Sequence, residues 1–193
     1  GSSVAADKKS ATVTLGTTDA TITATLQTIG GSCGTNATWT LAQDDSKNYT
    51  RLTISGTGPM DDCEYKTVSN LWRTAADWGY DLTSVTIGDG ITRIGEFAFI
   101  GCQSLATVTI GSGVTEIAQG AINHCDEMTR ITLPAVTTVG ECAFENCAKL
   151  ERIDFGHNNA VTLATSNAFN AKKLQYIVFP SPAGAVANTA TTG

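Results

Sequence analysis

Leu82-Thr83-Ser84-Val85-Thr86-Ile87 recurs along this chain. It returns as Leu105-Ala106-Thr107-Val108-Thr109-Ile110, and again as Met128-Thr129-Arg130-Ile131-Thr132-Leu133, each 23 residues further on. Leu150-Glu151-Arg152-Ile153-Asp154-Phe155 follows after 22 residues and Leu174-Gln175-Tyr176-Ile177-Val178-Phe179 after 24. In every copy the first, fourth and sixth positions are apolar and the third and fifth are mostly polar. The last four residues therefore alternate as a strand does, with one face apolar. A repeat of this length is one coil of a solenoid, because a single coil cannot bury its own apolar face and must stack on the next.

The rest of the period completes the coil. In the first copy Gly88-Asp89-Gly90 supplies a turn, Ile91-Thr92-Arg93-Ile94 a second extended piece and Gly95 another turn. Phe97, Ala98, Phe99 and Cys102 then lead back to the next strand, an expected helical turn. The second copy matches with Val114, Ile117, Ala121, Ile122 and Cys125, the third with Val136, Val139, Ala143, Phe144 and Cys147. Stacked coils lie about 4.8 Å apart. Phe99, Ile122, Phe144 and Phe169 should thus form one buried ladder, with Ala98, Ala121, Ala143 and Ala168 forming another beside it. Cys102, Cys125 and Cys147 share one slot and read as buried small thiols. Disulfides between them are within reach but poorly oriented, since stacked side chains run parallel. Cys33 and Cys63 are a weaker disulfide pair, and Cys142 lies in a variable position that can be exposed.

The pattern L-x-x-V-x-I-(G/P)-x-x-V-T-x-I-G-x-x-A-F-x-x-C resembles the BspA-like, or Treponema-type, leucine-rich repeat. Its specific parts stand here as Ile91-Thr92-Arg93-Ile94-Gly95 with Ala98-Phe99-Ile100-Gly101-Cys102, and as Val136-Thr137-Thr138-Val139-Gly140 with Ala143-Phe144-Glu145-Asn146-Cys147. The second copy departs at Ala118 and Ile122. The fourth is irregular at Gly156-His157-Asn158-Asn159 and carries Ala171 near the Cys slot. The resemblance implies a leucine-rich-repeat solenoid, β-rich with short parallel strands and helical turns. It would hold four to five repeats of 22–24 residues behind a β-rich N-terminal cap.

Four segments follow. Residues 1–30 are Thr-rich and alternate over Ala11-Thr12-Val13-Thr14-Leu15 and Thr21-Ile22-Thr23-Ala24-Thr25-Leu26, which predicts strands. Residues 31–81 form the expected cap. It holds a hairpin-like pair around Trp39 and Leu52, then a short amphipathic helix with Leu71, Ala75 and Trp78 on one face. Cys33-Gly34 to Leu41 and Leu52-Thr53-Ile54 to Met60 resemble the cap that precedes these repeats in secreted gut-bacterial members. Residues 82–180 are the repeats. Residues 181–193 are uncharged and read as a tail or linker. The start Gly1-Ser2-Ser3, lacking Met and an apolar leader, reads as a trimmed chain whose targeting segment was removed.

Composition narrows the function. Charged residues are only 16% of the chain and net charge is −6. Basic residues number six in 1–81 and six in 82–180, against nine acidic in each, so no basic stripe exists for nucleic acid or an anionic membrane. No apolar run is long enough to span a bilayer, so a membrane link would come only through a removed anchor. His124 and Cys125 are sequence neighbours whose side chains should diverge, and no C-x-x-C occurs, so no metal site or cofactor is expected. Gly88-Asp89-Gly90 and Gly111-Ser112-Gly113 are explained by the period rather than by a phosphate loop. Asp61, Asp62 and Glu64 read as a solvated loop face rather than a Ca²⁺ site. No nucleophile, base or paired-carboxylate motif supports an enzyme.

The outward side of the regular strand remains. One column runs Ser84, Thr107, Arg130, Arg152, Tyr176 and the other Thr86, Thr109, Thr132, Asp154, Val178. These ten residues are the candidate partner-binding positions, expected to form one continuous platform. Arg and Tyr are enriched in binding hot spots, whereas Thr alone also suits a strand through its β propensity. The resemblance implies a secreted or cell-surface bacterial protein, lipid-anchored at the outer membrane in one version. Its partner would be a host extracellular-matrix or mucosal protein, or another bacterial surface protein. A glycan ligand, with Tyr176, Trp72 or Trp78 as the aromatic platform, is one alternative. A structural spacer is the other, motivated by the exposed last coil, Leu174 to Phe179.

Overall fold

The computed structural model describes residues 11–14, 21–24, 29–43, 48–64, 82–157 and 159–180. The helix expected around Leu71–Trp78 and the tail 181–193 lie outside the described residues, as do Trp72 and Trp78. The Thr-rich start gives β1 (Ala11–Thr14) and β2 (Thr21–Ala24), paired antiparallel with Ala11 opposite Ala24.

The cap hairpin forms from β3 (Ile29–Ser32), β4 (Asn36–Gln43) and β5 (Tyr49–Pro59), antiparallel in sequence order. Period-two alternation decides which side chains enter the core. Ala37, Trp39 and Leu41 of β4 are buried, and so are Leu52 and Ile54 of β5. β5 does more than close the hairpin. Leu52 and Ile54 pair in parallel with Val85 and Ile87 of β6 (Ser84–Ile87), while Gly58 and Pro59 meet β7 (Ile91–Ile94). Residues 50–64 are therefore an extra first coil, on which the repeats stack.

Each repeat then contributes two short parallel strands. The first column holds β6, β8 (Thr107–Ile110), β10 (Arg130–Leu133), β12 (Arg152–Phe155) and β14 (Tyr176–Val178). The second holds β7, β9 (Glu116–Ile117), β11 (Thr138–Val139) and β13 (Thr162–Leu163), and runs unbroken from β5 to β13. Arg93 of β7 ties successive coils along it, reaching Asp62 at 2.5 Å and Glu116 at 2.8 Å.

The return side is built from stacked turns rather than the helical turns the sequence suggests. A single short 3₁₀ helix, Ser166–Phe169, occurs among the described residues. Here N–H groups point forward along the stack. Phe97, Phe99 and Gly101 donate to Gln119, Ala121 and Asn123 of the next coil; Gly120, Ile122 and His124 donate to Glu141, Ala143 and Glu145. Aiming alternate amides one way requires two left-handed residues per coil. They are Phe97 and Gly101, Gly120 and His124, Cys142 and Asn146. Only glycine takes that conformation freely, so the four other occupants, Phe97, His124, Cys142 and Asn146, carry strain that the stack must hold.

The expected ladders are present. Ala98, Ala121, Ala143 and Ala168 are fully buried, as are Phe99, Ile122 and Phe144, while Phe169 is half-buried at the C-terminal end. The rings of Phe144 and Phe169 stack with centroids 5.8 Å apart. Cys102, Cys125 and Cys147 are buried, and none of the six cysteines is joined in a disulfide. The Cys125 thiol donates to the Phe99 carbonyl and the Cys147 thiol to the Ile122 carbonyl. Each thus satisfies a backbone acceptor of the coil before it.

Candidate interaction surface

The parallel register assembles the two outward columns as the spacing predicts, strand by strand. Ser84 lies beside Thr107 and Thr86 beside Thr109; Arg130, Arg152 and Tyr176 fall in one row, and Thr132, Asp154 and Val178 in the next. Thr86, Thr107, Thr109, Arg130, Thr132 and Tyr176 are exposed, whereas Ser84, Arg152 and Val178 are half-buried.

Asp154 departs from its expected place on the surface. It is buried, and the two arginines close over it. Arg130 Nε donates to Asp154 Oδ2 at 2.6 Å, and Arg152 Nε donates to Oδ1 at 2.8 Å. The carboxylate side chain is only 13% exposed, against 60% for Arg130 and 40% for Arg152. Burial alone would push the Asp154 carboxyl up, but the hydrogen bonds from Arg152 and Arg130 outweigh it and hold the group below the usual carboxylate range. Two cations share one anion, so the visible face of the cluster is cationic. Tyr176 stands beside it on the edge strand.

The platform is also not continuous. β5, β6 and β8 belong to one sheet and β10, β12 and β14 to another, with no ladder between β8 and β10. At the other coil junctions a backbone N–H ahead of the strand reaches the preceding coil: Thr107 to the Thr83 carbonyl, Arg152 to Thr129 and Tyr176 to Glu151. The equivalent bond from Arg130 to Ala106 is missing. The third coil also differs at the strand's far end. Gly88 and Gly156 donate their N–H to the Ile54 and Leu133 carbonyls of the coil before. Pro134 occupies that slot in the third coil and has no N–H to give. On its other side, Arg130 is tied to β12 by its hydrogen bond to Asp154.

A groove of about 510 Å³ opens along the split, with Thr107, Thr109, Arg130 and Thr132 on its walls and Val108 and Ile131 on its floor. The coil beneath shows through. Val108 and Ile110 are 7% and 6% exposed where Val85 and Ile87 are 1%. The repeat pattern does not reveal this groove; the one departure beside it is Pro134, where the two preceding coils carry Gly88 and Gly111.

Elsewhere one cluster resembles catalytic machinery. Cys142 donates to Glu145, which also accepts from Asn170 Nδ2 at 3.2 Å and Asn123 Nδ2 at 3.4 Å, with His124 nearby. The chemistry runs the wrong way for a nucleophile. Burial and the adjacent Glu145 and Glu141 carboxylates push the Cys142 thiol up to about 11, which suppresses the thiolate. Among the described residues no three His, Cys, Asp or Glu side chains converge to hold a metal ion, and no helix is long and apolar enough to cross a membrane.

The architecture recurs in solved structures. A leucine-rich repeat protein from Eubacterium ventriosum is 25% identical and superposes with a TM-score of 0.56 over 80% of this chain and 44% of its own. The leucine-rich repeat protein of T. pallidum shares the fold at 18% identity, with a TM-score of 0.51 over 71% of this chain and 66% of its own. This chain thus spans under half the length of the first of these relatives. No curated protein matches it in sequence. The model of the BspA-type leucine-rich repeat region matches residues 76–190 in six copies, so the stacked coils and their split strand face are those of a member of the BspA-type leucine-rich repeat family.

Proposed function

We infer that this chain is a non-enzymatic protein-binding module of a secreted or cell-surface bacterial protein, and that its strand platform adheres to a surface protein of a host or of another bacterium. The observation that carries the reading is the Arg130–Asp154–Arg152 cluster. A strand face that needed only solubility would not bury a carboxylate beneath two arginines. The buried acid fixes both guanidinium planes in place, so they meet a partner with little entropy left to lose. The Thr107, Thr109 and Thr132 hydroxyls beside them offer donors and acceptors on short, stiff side chains. Arg and Tyr176 supply the residue types in which interface energy concentrates.

The test is binding of the purified chain to an immobilised panel of matrix proteins, mucins, bacterial surface proteins and glycans. Arg130→Glu/Arg152→Glu is measured beside it, with circular dichroism confirming its fold. A saturable protein partner whose affinity falls at least tenfold in the variant supports the platform. A glycan ligand indifferent to those charges would move the reading to carbohydrate capture. Protein binding unchanged in a folded variant would remove the strand face from the interaction, and silence across the panel would favour a spacer role.

A further inference from the structure

We propose that Cys33 and Cys63 are an oxidisable pair, and that a disulfide between them staples the β3–β4 turn to the end of the extra first coil. The staple is independent of what the strand face binds. Residues 59–63 run between two neighbours. On one flank Met60 and Cys63 donate their N–H groups to the Arg93 and Glu96 carbonyls; on the other Asp61 donates to the Cys33 carbonyl at 2.7 Å. The approach on that second flank is close, since no β-carbon would fit at Gly34, where the Pro59 carbonyl oxygen fills its place. Asp62 is engaged outward by Arg93, while Cys33 is buried and Cys63 half-buried. The sulfurs are near enough for a charge on Cys63 to be felt at Cys33.

This pair escapes the objection that holds for the thiol ladder. Cys102, Cys125 and Cys147 are stacked copies of one slot, so their side chains run parallel, which suits a disulfide poorly. Cys33 and Cys63 come from unlike segments that meet flank to flank. Exchange with a low-molecular-weight disulfide makes the bond. Cys63, the more exposed, attacks one sulfur of that molecule as the thiolate; the released half takes up the proton that Cys63 shed and leaves as a thiol. Cys33 then attacks the Cys63 sulfur, and the second half leaves in the same way. The protein gives up two protons and two electrons, and the small disulfide is reduced to two thiols. Burial and then Asp61 push the Cys33 thiol up to about 12; burial and then Asp62 push Cys63 up to about 11. Such thiolates are scarce as attackers and reluctant as leaving groups, so the bond forms slowly and, once formed, is slow to reopen. That is the behaviour of a lasting staple rather than of a switch.

The test starts from the reduced, folded chain. It is incubated with oxidised glutathione at mildly alkaline pH and followed by intact mass and by tryptic mapping without reductant. The chain should lose two hydrogen atoms, and one cross-link should join the peptide 10–47 to the peptide 52–66. The other four cysteines should still take up iodoacetamide once the protein is unfolded. Closing a loop of about thirty residues should raise the melting midpoint by roughly 5–10 °C, and dithiothreitol should reverse the rise. Cys63→Ser should melt at one midpoint with and without the oxidant.

A folded chain that keeps all six thiols, a cross-link at any other pair, or a Cys33–Cys63 bond that forms only in urea would each overturn the pairing. A bond that forms but leaves the midpoint unchanged, or lowers it, would overturn the staple. The mapping is read on the wild-type chain, so neither outcome depends on a variant folding.

Discussion

The ring of Phe97 covers the α-carbon of Gly120 one coil further on. A β-carbon built on Gly120 would lie 2.5 Å from Phe97 Cδ1, and both residues are left-handed, at φ 53° and 59°. The same slot of the repeat is thus filled in one coil by a large ring and in the next by nothing, each making the other tolerable.

Gly120→Ala should therefore destabilise the solenoid by about 1–3 kcal/mol, combining the overpacked ring with a left-handed alanine. Part of that loss should return in Phe97→Ala/Gly120→Ala. Chemical denaturation of the two single variants and the double variant measures the coupling. Strictly additive losses would mean that the ring simply swings aside.

Phe144→Ala empties the middle of the aromatic ladder, where Phe144 is fully buried and stacks on Phe169. A loss of about 3–5 kcal/mol is expected, because neighbouring coils held by backbone bonds cannot collapse into the gap. A thermal melt superimposable on that of the wild type would refute the core position.

Asp154 predicts a pH window. Its folded carboxyl titrates below its unfolded value of about 3.9, so the unfolded chain takes up the proton first as pH falls. The stabilisation is complete above the unfolded value and disappears as pH drops through the lower folded one. At pH 7 Asp154→Asn should be less stable by roughly 1 kcal/mol, since both arginines are largely solvated. The difference between variant and wild type, followed by urea unfolding from pH 7 to 3, should vanish at the acid end. A constant difference would show that the ion cluster is not its source.

Cys142 should resist alkylation despite being only half-buried. With its thiol at about 11, roughly one molecule in a thousand is thiolate at pH 8. Glu145→Gln removes the nearest negative charge and should accelerate iodoacetamide labelling of Cys142, read by mass spectrometry of the native protein. Equal rates in the two proteins would remove Glu145 as the cause.

The spacing of Leu82, Val85 and Ile87 and their copies was enough to place both strand columns, the Phe and Ala ladders and the thiol slot. Each of these depends only on a residue's distance from its equivalent one coil away, and period is what a sequence displays most openly. What it hides is the difference between coils. Asp154 and Thr132 hold the same slot, yet one is buried and the other exposed, because arginines from two separate strands converge on the acid. Gly111 and Pro134 also share a slot and read as interchangeable turn residues, but only one carries an N–H. Leu52-Thr53-Ile54 matches Val85-Thr86-Ile87 closely enough to announce a further coil. Its place within a hairpin disguised it as part of the cap alone.

β5 joins the antiparallel hairpin to both parallel columns within one uninterrupted strand. The two faces of the solenoid therefore inherit a common phase from a single piece of backbone, and neither can slip by a residue without the other. Downstream, each coil copies the one before it. The hairpin thus works as a template that is laid down once, and the number of coils that follow can lengthen or shorten through evolution without its being redrawn.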